Sequence, residues 1–267
     1  MAVREFEGTE TADTRETMSA EIRRVSSSIV CVRRVSYLTC SYIVRTPDGL
    51  VLIDAGMDSD GADVDAGLAA MNGRYADVRA ILLTHWHNDH TAGAEVTRQR
   101  SGAPVYYHRG DEAYYTGRGG ARGLRKWVSD RVPEIGVLVL AKGLLGESTP
   151  RPVSAGTFVN DGDVLLGDFE VIETPGHTDG HVSYFYRPER ALFAGDALAV
   201  IGGRVRFMAR PVTLDLEAAR KSMRRVLDLE PALVCPGHRE PLVTNVPAAV
   251  EAMRRHLDGG GAWPLLG

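Results

Sequence analysis

The chain is expected to be a mixed α/β protein with helices on the outer faces of its sheet, on three observations. Short apolar runs of strand length recur, and several end in an acid or a histidine. Between them lie stretches with apolar residues at helical spacing, giving a βαβα rhythm. The 267 residues can bury a large core in one α/β domain or two small ones, and the 44% apolar, 25% charged composition is ordinary for a globular chain.

The elements follow in order. Residues 1 to about 25 are polar and mostly lack strand periodicity, so they read as a flexible tail, or as a helical arm over Thr17–Arg24 that docks on a partner subunit. Ser28–Val35 and Leu38–Arg45 read as paired strands. The turn Thr46-Pro47-Asp48-Gly49 leads into a third, Gly49–Asp54. Asp63–Met71 has helical spacing, Val78–Leu83 is a buried strand, Thr91–Arg100 a helix, and Pro104–His108 a short strand. Residues 109–150 break the rhythm. They carry Tyr114, Tyr115, Trp127, Arg109, Arg118, Arg122, Arg125, Lys126 and Arg131, and read as a lid-like insertion or substrate wall.

The rhythm returns after Pro152. Asp163–Leu166 and Phe169–Glu173 form a hairpin around Gly167-Asp168, followed by strands Val182–Tyr186 and Ala191–Asp196. Helical spacing marks Asp215–Leu229, then come the strand Ala232–Cys235 and a closing helix over 247–257. The organisation is one domain over 26–267 behind the N-terminal tail or arm.

Composition removes several classes. A net charge of −4 argues against a nucleic-acid surface. No apolar run approaches the ~20 residues of a membrane span. The N-terminus lacks the apolar middle of a signal peptide. Cys31, Cys40 and Cys235 are too scattered for a disulfide framework, so a cytoplasmic compartment is expected. A small-molecule substrate, no nucleic acid, no membrane and a homodimer as a possible assembly complete the expectation.

The chemistry concentrates in Thr84-His85-Trp86-His87-Asn88-Asp89-His90. Neutral imidazole and carboxylate are ligands that zinc and iron prefer. An unpaired cluster of this kind repels itself when protonated and costs several kcal/mol to bury. His177, Asp196 and His238 also follow apolar strands. Two sets of three donors follow: His85, His87 and His177 for one ion, Asp89, His90 and His238 for the other. Asp196 can bridge both with its two oxygens. A metal pair about 3.5–4 Å apart can share a water and hold it as hydroxide near neutral pH. Asp54 is either a turn former or the carboxylate that accepts a ligand imidazole's other N–H, and the second role is expected. His181 reads as structural or supporting rather than a ligand, Trp86 as packing, and Cys235 as a buried strand-end residue.

This pattern resembles the metallo-β-lactamase fold superfamily. The matching features are the HxHxDH run His85–His90, the strand-end Asp54, the PGHT segment with His177, the FAGD segment with Asp196 and the PGH segment with His238. They stand in the family's order between about residues 27 and 245. The resemblance implies a four-layer αββα sandwich: two mixed β-sheets, helices on the outer faces, and a dinuclear site at one edge. It does not imply β-lactam hydrolysis. The bridging Asp196 with a full HxHxDH looks like the glyoxalase II and lactonase branch.

Departures narrow it. Glyoxalase II carries a helical C-terminal domain, whereas about 29 residues follow His238 here. Many acyl-homoserine lactonases place a Tyr shortly after the bridging Asp, where this chain has Ala197-Leu198-Ala199. Flavodiiron proteins carry Glu where His87 stands. The function expected is a dinuclear zinc hydrolase, with iron or manganese as other metals, cleaving an ester, thioester or lactone. The bridging hydroxide attacks the carbonyl carbon, and Asp89 orients it and shuttles its proton. The alternatives are a mononuclear iron enzyme like the persulfide dioxygenases and a β-lactam hydrolase. The Arg-rich insertion, with Arg204, Arg206 and Arg210, points to an anionic substrate with an apolar body.

Overall fold

The computed structural model describes residues 20–35, 37–117 and 152–263. In the first sheet β1 (Ala20–Arg24), β2 (Ile29–Arg34), β3 (Cys40–Thr46) and β4 (Gly49–Ile53) form an antiparallel meander. β5 (Val78–Leu82), β6 (Val105–His108) and β7 (Thr157–Val159) then add in parallel, so the sheet is mixed and its strands lie in chain order. In the second sheet β8 (Val164–Leu165), β9 (Phe169–Glu173), β10 (Val182–Tyr186) and β11 (Ala191–Gly195) are antiparallel neighbours. A separate hairpin, β12 (Ala199–Ile201) and β13 (Arg204–Arg206), follows. β14 (Leu233–Pro236) closes the second sheet in parallel with β11.

Strand periodicity decides the layers. Tyr42 and Val44 of β3, Val51 and Ile53 of β4, and Leu82 of β5 share the inter-sheet core with Val171, Tyr184 and Phe193 of the second sheet. Their neighbours Ile43, Leu50, Leu52 and Ile81 turn the other way, onto Val64 and Leu68 of helix α1 (Ala62–Ala70). In the second sheet Phe185, Leu192 and Val234 turn outward to form a third cluster. They meet α5 (Leu216–Asp228) through Met223 and Val226, and α6 (Val246–Asp258) through Val250 and Met253. The Asp215 carboxylate starts α5 by accepting from the N–H groups of Glu217 and Ala218. The four layers, helix–sheet–sheet–helix, are those of the αββα sandwich.

Two local expectations change, and a third falls mostly outside the described residues. The helical arm over Thr17–Arg24 is a strand over its described part: Ala20–Arg24 is β1, which pairs residue for residue with Val30–Arg34. Pairing with β2 satisfies backbone groups that a helix this short would leave open at both ends. Residues 1–19 lie outside the described residues. The helix expected at Thr91–Arg100 is two pieces, the single turn α2 (Asn88–Thr91) and α3 (Ala94–Ser101), with the break at Ala92-Gly93. Of the 109–150 insertion, a 3₁₀ turn Arg109–Asp111 and the short α4 (Glu112–Tyr115) are described. Residues 118–150, with Arg118, Arg122, Arg125, Lys126, Trp127 and Arg131, lie outside the described residues. Among the described residues no helix is long and apolar enough to cross a membrane.

Candidate metal centre

Every candidate donor sits just beyond the C-terminal end of a strand or in the first turn after it. Asp54 follows β4, His85–His90 follow β5, His177 follows β9, Asp196 follows β11, and His238 follows β14. β9, β11 and β14 run in the same direction, so their ends open at one edge of the second sheet. β4 and β5 are likewise parallel. This placement, at the carboxyl ends of strands, is where α/β sheets present ligands. The turn α2 carries Asp89 and His90 and sets the His90 ring 4.3 Å from that of His85. Gly237 lets the last loop approach, since a Cβ there would lie 2.3 Å from Asp196 Oδ1.

The structure brings all seven candidate ligands together in overlapping groups: His85 with His87 and His177, Asp89 with His90 and His238, and Asp196 with His85 and His90. His87 Nδ1 lies 3.0 Å from His85 Nε2 and 2.9 Å from His177 Nε2. His90 Nε2 is 3.4 Å from His238 Nε2, and Asp89 Oδ2 is 3.5 Å from the same His238 atom. Asp196 stands between the sets, its Oδ2 3.3 Å from His177 Nε2 and 3.4 Å from His238 Nε2.

Proton accounting shows that these residues suit cations. His90 Nδ1 donates to Asp54 Oδ2 at 2.8 Å, and His238 Nδ1 donates to the Tyr37 carbonyl at 3.3 Å. Thr84 Oγ1 donates to Asp54, so it accepts from His85 Nδ1 at 3.0 Å. In the neutral tautomers the Nε2 atoms of His85, His90 and His238 therefore carry bare lone pairs aimed inward. Asp196 Oδ1 is buried without a hydrogen-bond partner among the described residues. Converging lone pairs and an orphaned carboxylate oxygen are what bound divalent ions would satisfy.

Electrostatics separate the two sets. Burial drives His87 down to about 4 and holds His85 and His177 well below their ordinary range, so this set is neutral imidazole. Burial opposes charge on His90 too, but the Asp89, Asp196 and Asp54 carboxylates raise it to about 10. Burial also works against the Asp89 carboxylate, which His90 and His238 nevertheless bring down to about 2.

The supporting residues divide into expected and missed. Asp54 accepts from His90, Thr84 N and Thr84 Oγ1, as expected of an orienting carboxylate. Its φ of 59° is left-handed, a conformation that Asp tolerates better than most residues. His181 holds Asp196: its Nε2 accepts from Asp196 N at 2.9 Å, and its Nδ1 donates to Thr174 Oγ1 at 2.7 Å. Trp86 is buried and stacks on Tyr114, with centroids 4.1 Å apart. Cys235 is a buried thiol. Sequence reasoning missed Thr84, Thr39, which donates to Asp89 Oδ2 at 3.2 Å, and Asp111. Thr84 carried a usable signal, a hydroxyl between strand and ligand. Asp111 carried none, since it stands 25 residues past its partner Trp86 in an ordinary polar run. Burial pushes Asp111 up to about 7, against the pull of its hydrogen bonds to Thr178, Gly180 and Trp86. Arg204 and Arg206 line a groove with Ala249, Met253 and His256 of α6.

The family model of the Metallo-beta-lactamase superfamily matches residues 38–238. The chain is 31% identical over 213 residues to the probable metallo-hydrolase YflN of Bacillus subtilis, covering 73% of this chain and 77% of that one. It is 30% identical over 174 residues to a hydroxyacylglutathione hydrolase of Cereibacter sphaeroides, covering 64% of this chain and 52% of that one. Among solved structures, TTHA1623 in a di-iron-bound form superposes with a TM-score of 0.56 at 28% identity, covering 79% of this chain and 93% of that one.

Proposed function

The chain belongs to the metallo-β-lactamase superfamily and is a metal-dependent hydrolase, and from that premise we propose that it works with two zinc ions on an ester, thioester or lactone of a small anionic substrate. The observation that carries this reading is the shared position of Asp196. One carboxylate oxygen lies within 3.4 Å of both His177 Nε2 and His238 Nε2, one from each set of donors. When bound, two ions there supply Lewis acidity and bring a shared water's pKa near neutrality.

The chain's own groups do the rest. His85, His87 and His177 would hold one ion, and Asp89, His90 and His238 would hold the other. Asp54 and His181 keep the donors and the bridging acid oriented. Asp89, whose Oδ2 accepts from Thr39, is the carboxylate that would orient the attacking water and accept its proton. No serine or cysteine nucleophile is required.

The relative named hydroxyacylglutathione hydrolase supports the thioester end of the substrate range, since an acyl group on glutathione is a thioester. The arginines and aromatics of residues 109–150 support an anionic substrate with an apolar body. Arg109, the described arginine of that segment, stacks its guanidinium 4.1 Å from the Phe158 ring centroid. The di-iron neighbour favours iron as the second reading of the metal's identity.

Metal content of untagged protein, measured beside hydrolysis of thioesters, lactones and β-lactams, tests the proposal. Two zinc per chain with turnover of a thioester or lactone is expected. One iron per chain with oxygen consumption, or turnover of β-lactams alone, would overturn it.

A further inference from the structure

Asp111 lies outside every ligand motif, yet it is 1% exposed and all its described partners are donors from the ligand loops. Its Oδ2 accepts from Trp86 N at 3.2 Å and from Thr178 Oγ1 at 2.9 Å. Its Oδ1 accepts from Gly180 N at 2.9 Å. Trp86 is the residue between His85 and His87, and Thr178 follows His177. One buried carboxylate therefore ties the loop after β5 to the loop after β9, and those two loops supply His85, His87 and His177.

The tie is tight at the backbone as well. A Cβ on Gly180 would lie 2.4 Å from Asp111 N, so the two segments touch main chain to main chain. Tyr114, on the next helical turn, lies parallel to the Trp86 indole at an interplanar angle of 10°, and Trp86 in turn packs its edge against His87 at 4.4 Å. The other set is oriented by different groups: Asp54 on His90, the Tyr37 carbonyl on His238, and Thr39 on Asp89.

We infer that Asp111 is a positioning residue for the His85–His87–His177 half of the centre, acting through the two loops and leaving the Asp89–His90–His238 half to its own supports. The inference rests on the metal-binding reading above. The physical reason is the geometry of three imidazoles on two separate loops. Their ring nitrogens hold a common focus only while the loops hold their spacing, and an error of about 1 Å at a ligand is enough to spoil it. A carboxylate accepting from both loops fixes that spacing. An amide cannot do so fully, because every partner is a donor and an amide offers one acceptor oxygen.

Zinc itself is the probe, in chelator competition on the full chain. Two reference variants, His177→Ala and His238→Ala, identify which binding step belongs to which half. Asp111→Ala is expected to weaken the step lost in His177→Ala by about 10- to 100-fold, the usual cost of removing a group that orients ligands, and to leave the other step unchanged. Thr178→Val, which deletes one hydroxyl donor in an otherwise similar side chain, should weaken the same step by a smaller factor. Asp111→Asn should fall between wild type and alanine. Equal weakening of both steps means general loosening and overturns the inference, as does no weakening of either. If Asp111→Ala fails to fold, Thr178→Val decides by the same criteria. If the wild-type chain takes up a single zinc, the dinuclear reading fails. Asp111 is then judged on that ion: weakening of a His177-dependent ion supports the inference, and any other result overturns it.

Discussion

Replacing Asp54 should damage both halves of the centre at once. Its carboxylate accepts from His90 Nδ1 at 2.8 Å, from Thr84 N at 2.8 Å and from Thr84 Oγ1 at 2.9 Å, and Thr84 Oγ1 in turn orients His85. His90 belongs to one set and His85 to the other. Asp54→Ala leaves three buried donors, two N–H and one O–H, without their acceptor, costing roughly 3–9 kcal/mol of metal-free stability at about 1–3 kcal/mol each. Alanine at the left-handed φ of 59° adds roughly 1–2 kcal/mol. Losing an orienting acceptor lowers metal affinity by about 10- to 100-fold per ion, so the product of the two zinc constants should fall by about 10²–10⁴. Asp54→Asn separates these causes. Asparagine tolerates the same backbone and keeps one acceptor, so its stability loss should be roughly 1–3 kcal/mol. Denaturant unfolding of the metal-free chain gives the first quantity, and chelator competition gives the second. If Asp54→Asn and Asp54→Ala both titrate zinc as wild type does, Asp54 is a turn former only, and the orienting argument is refuted.

Asp196→Ala should lower both zinc occupancy and turnover, read by metal analysis beside a rate assay; full activity with two ions bound would remove the bridging role. Chelating the ions should lower the melting temperature, because buried lone pairs and the Asp196 oxygen lose their partners, and scanning fluorimetry with and without chelator reads the shift. Glu95 gives a pH signature: hydrogen bonds from Arg98, and then from Ser154, bring it down to about 2 from an ordinary 4.5. A depressed carboxyl contributes stability that is full above 4.5 and lost as pH falls toward about 2, so Glu95→Gln should flatten the acid limb of a melting-temperature profile in that window. Neutralising Arg122 and Arg125 together should raise KM for anionic substrates and spare neutral analogues, read in paired kinetics.

The sequence by itself determined the layers. Alternation in runs such as Tyr42-Ile43-Val44 and Leu50-Val51-Leu52-Ile53 sends one face to the inter-sheet core and the other to helix α1, and that period is a property of the backbone. It also displayed the candidate donors, because His and Asp at strand ends are conspicuous after apolar runs. It left β1, the β12–β13 hairpin and β7 unread, since β1 is polar and the others run only three residues each. Tertiary structure alone decided which imidazole Asp54 serves and brought Thr39 and Asp111 in behind the other donors. Asp54 reaches His90 across 36 positions and Asp111 reaches Gly180 across 69, and local pattern holds no information about contacts that distant. It decided as well that Arg204 and Arg206 share a groove with α6. Charge can be counted along a chain, but the direction in which a side chain presents it is fixed only when the elements pack.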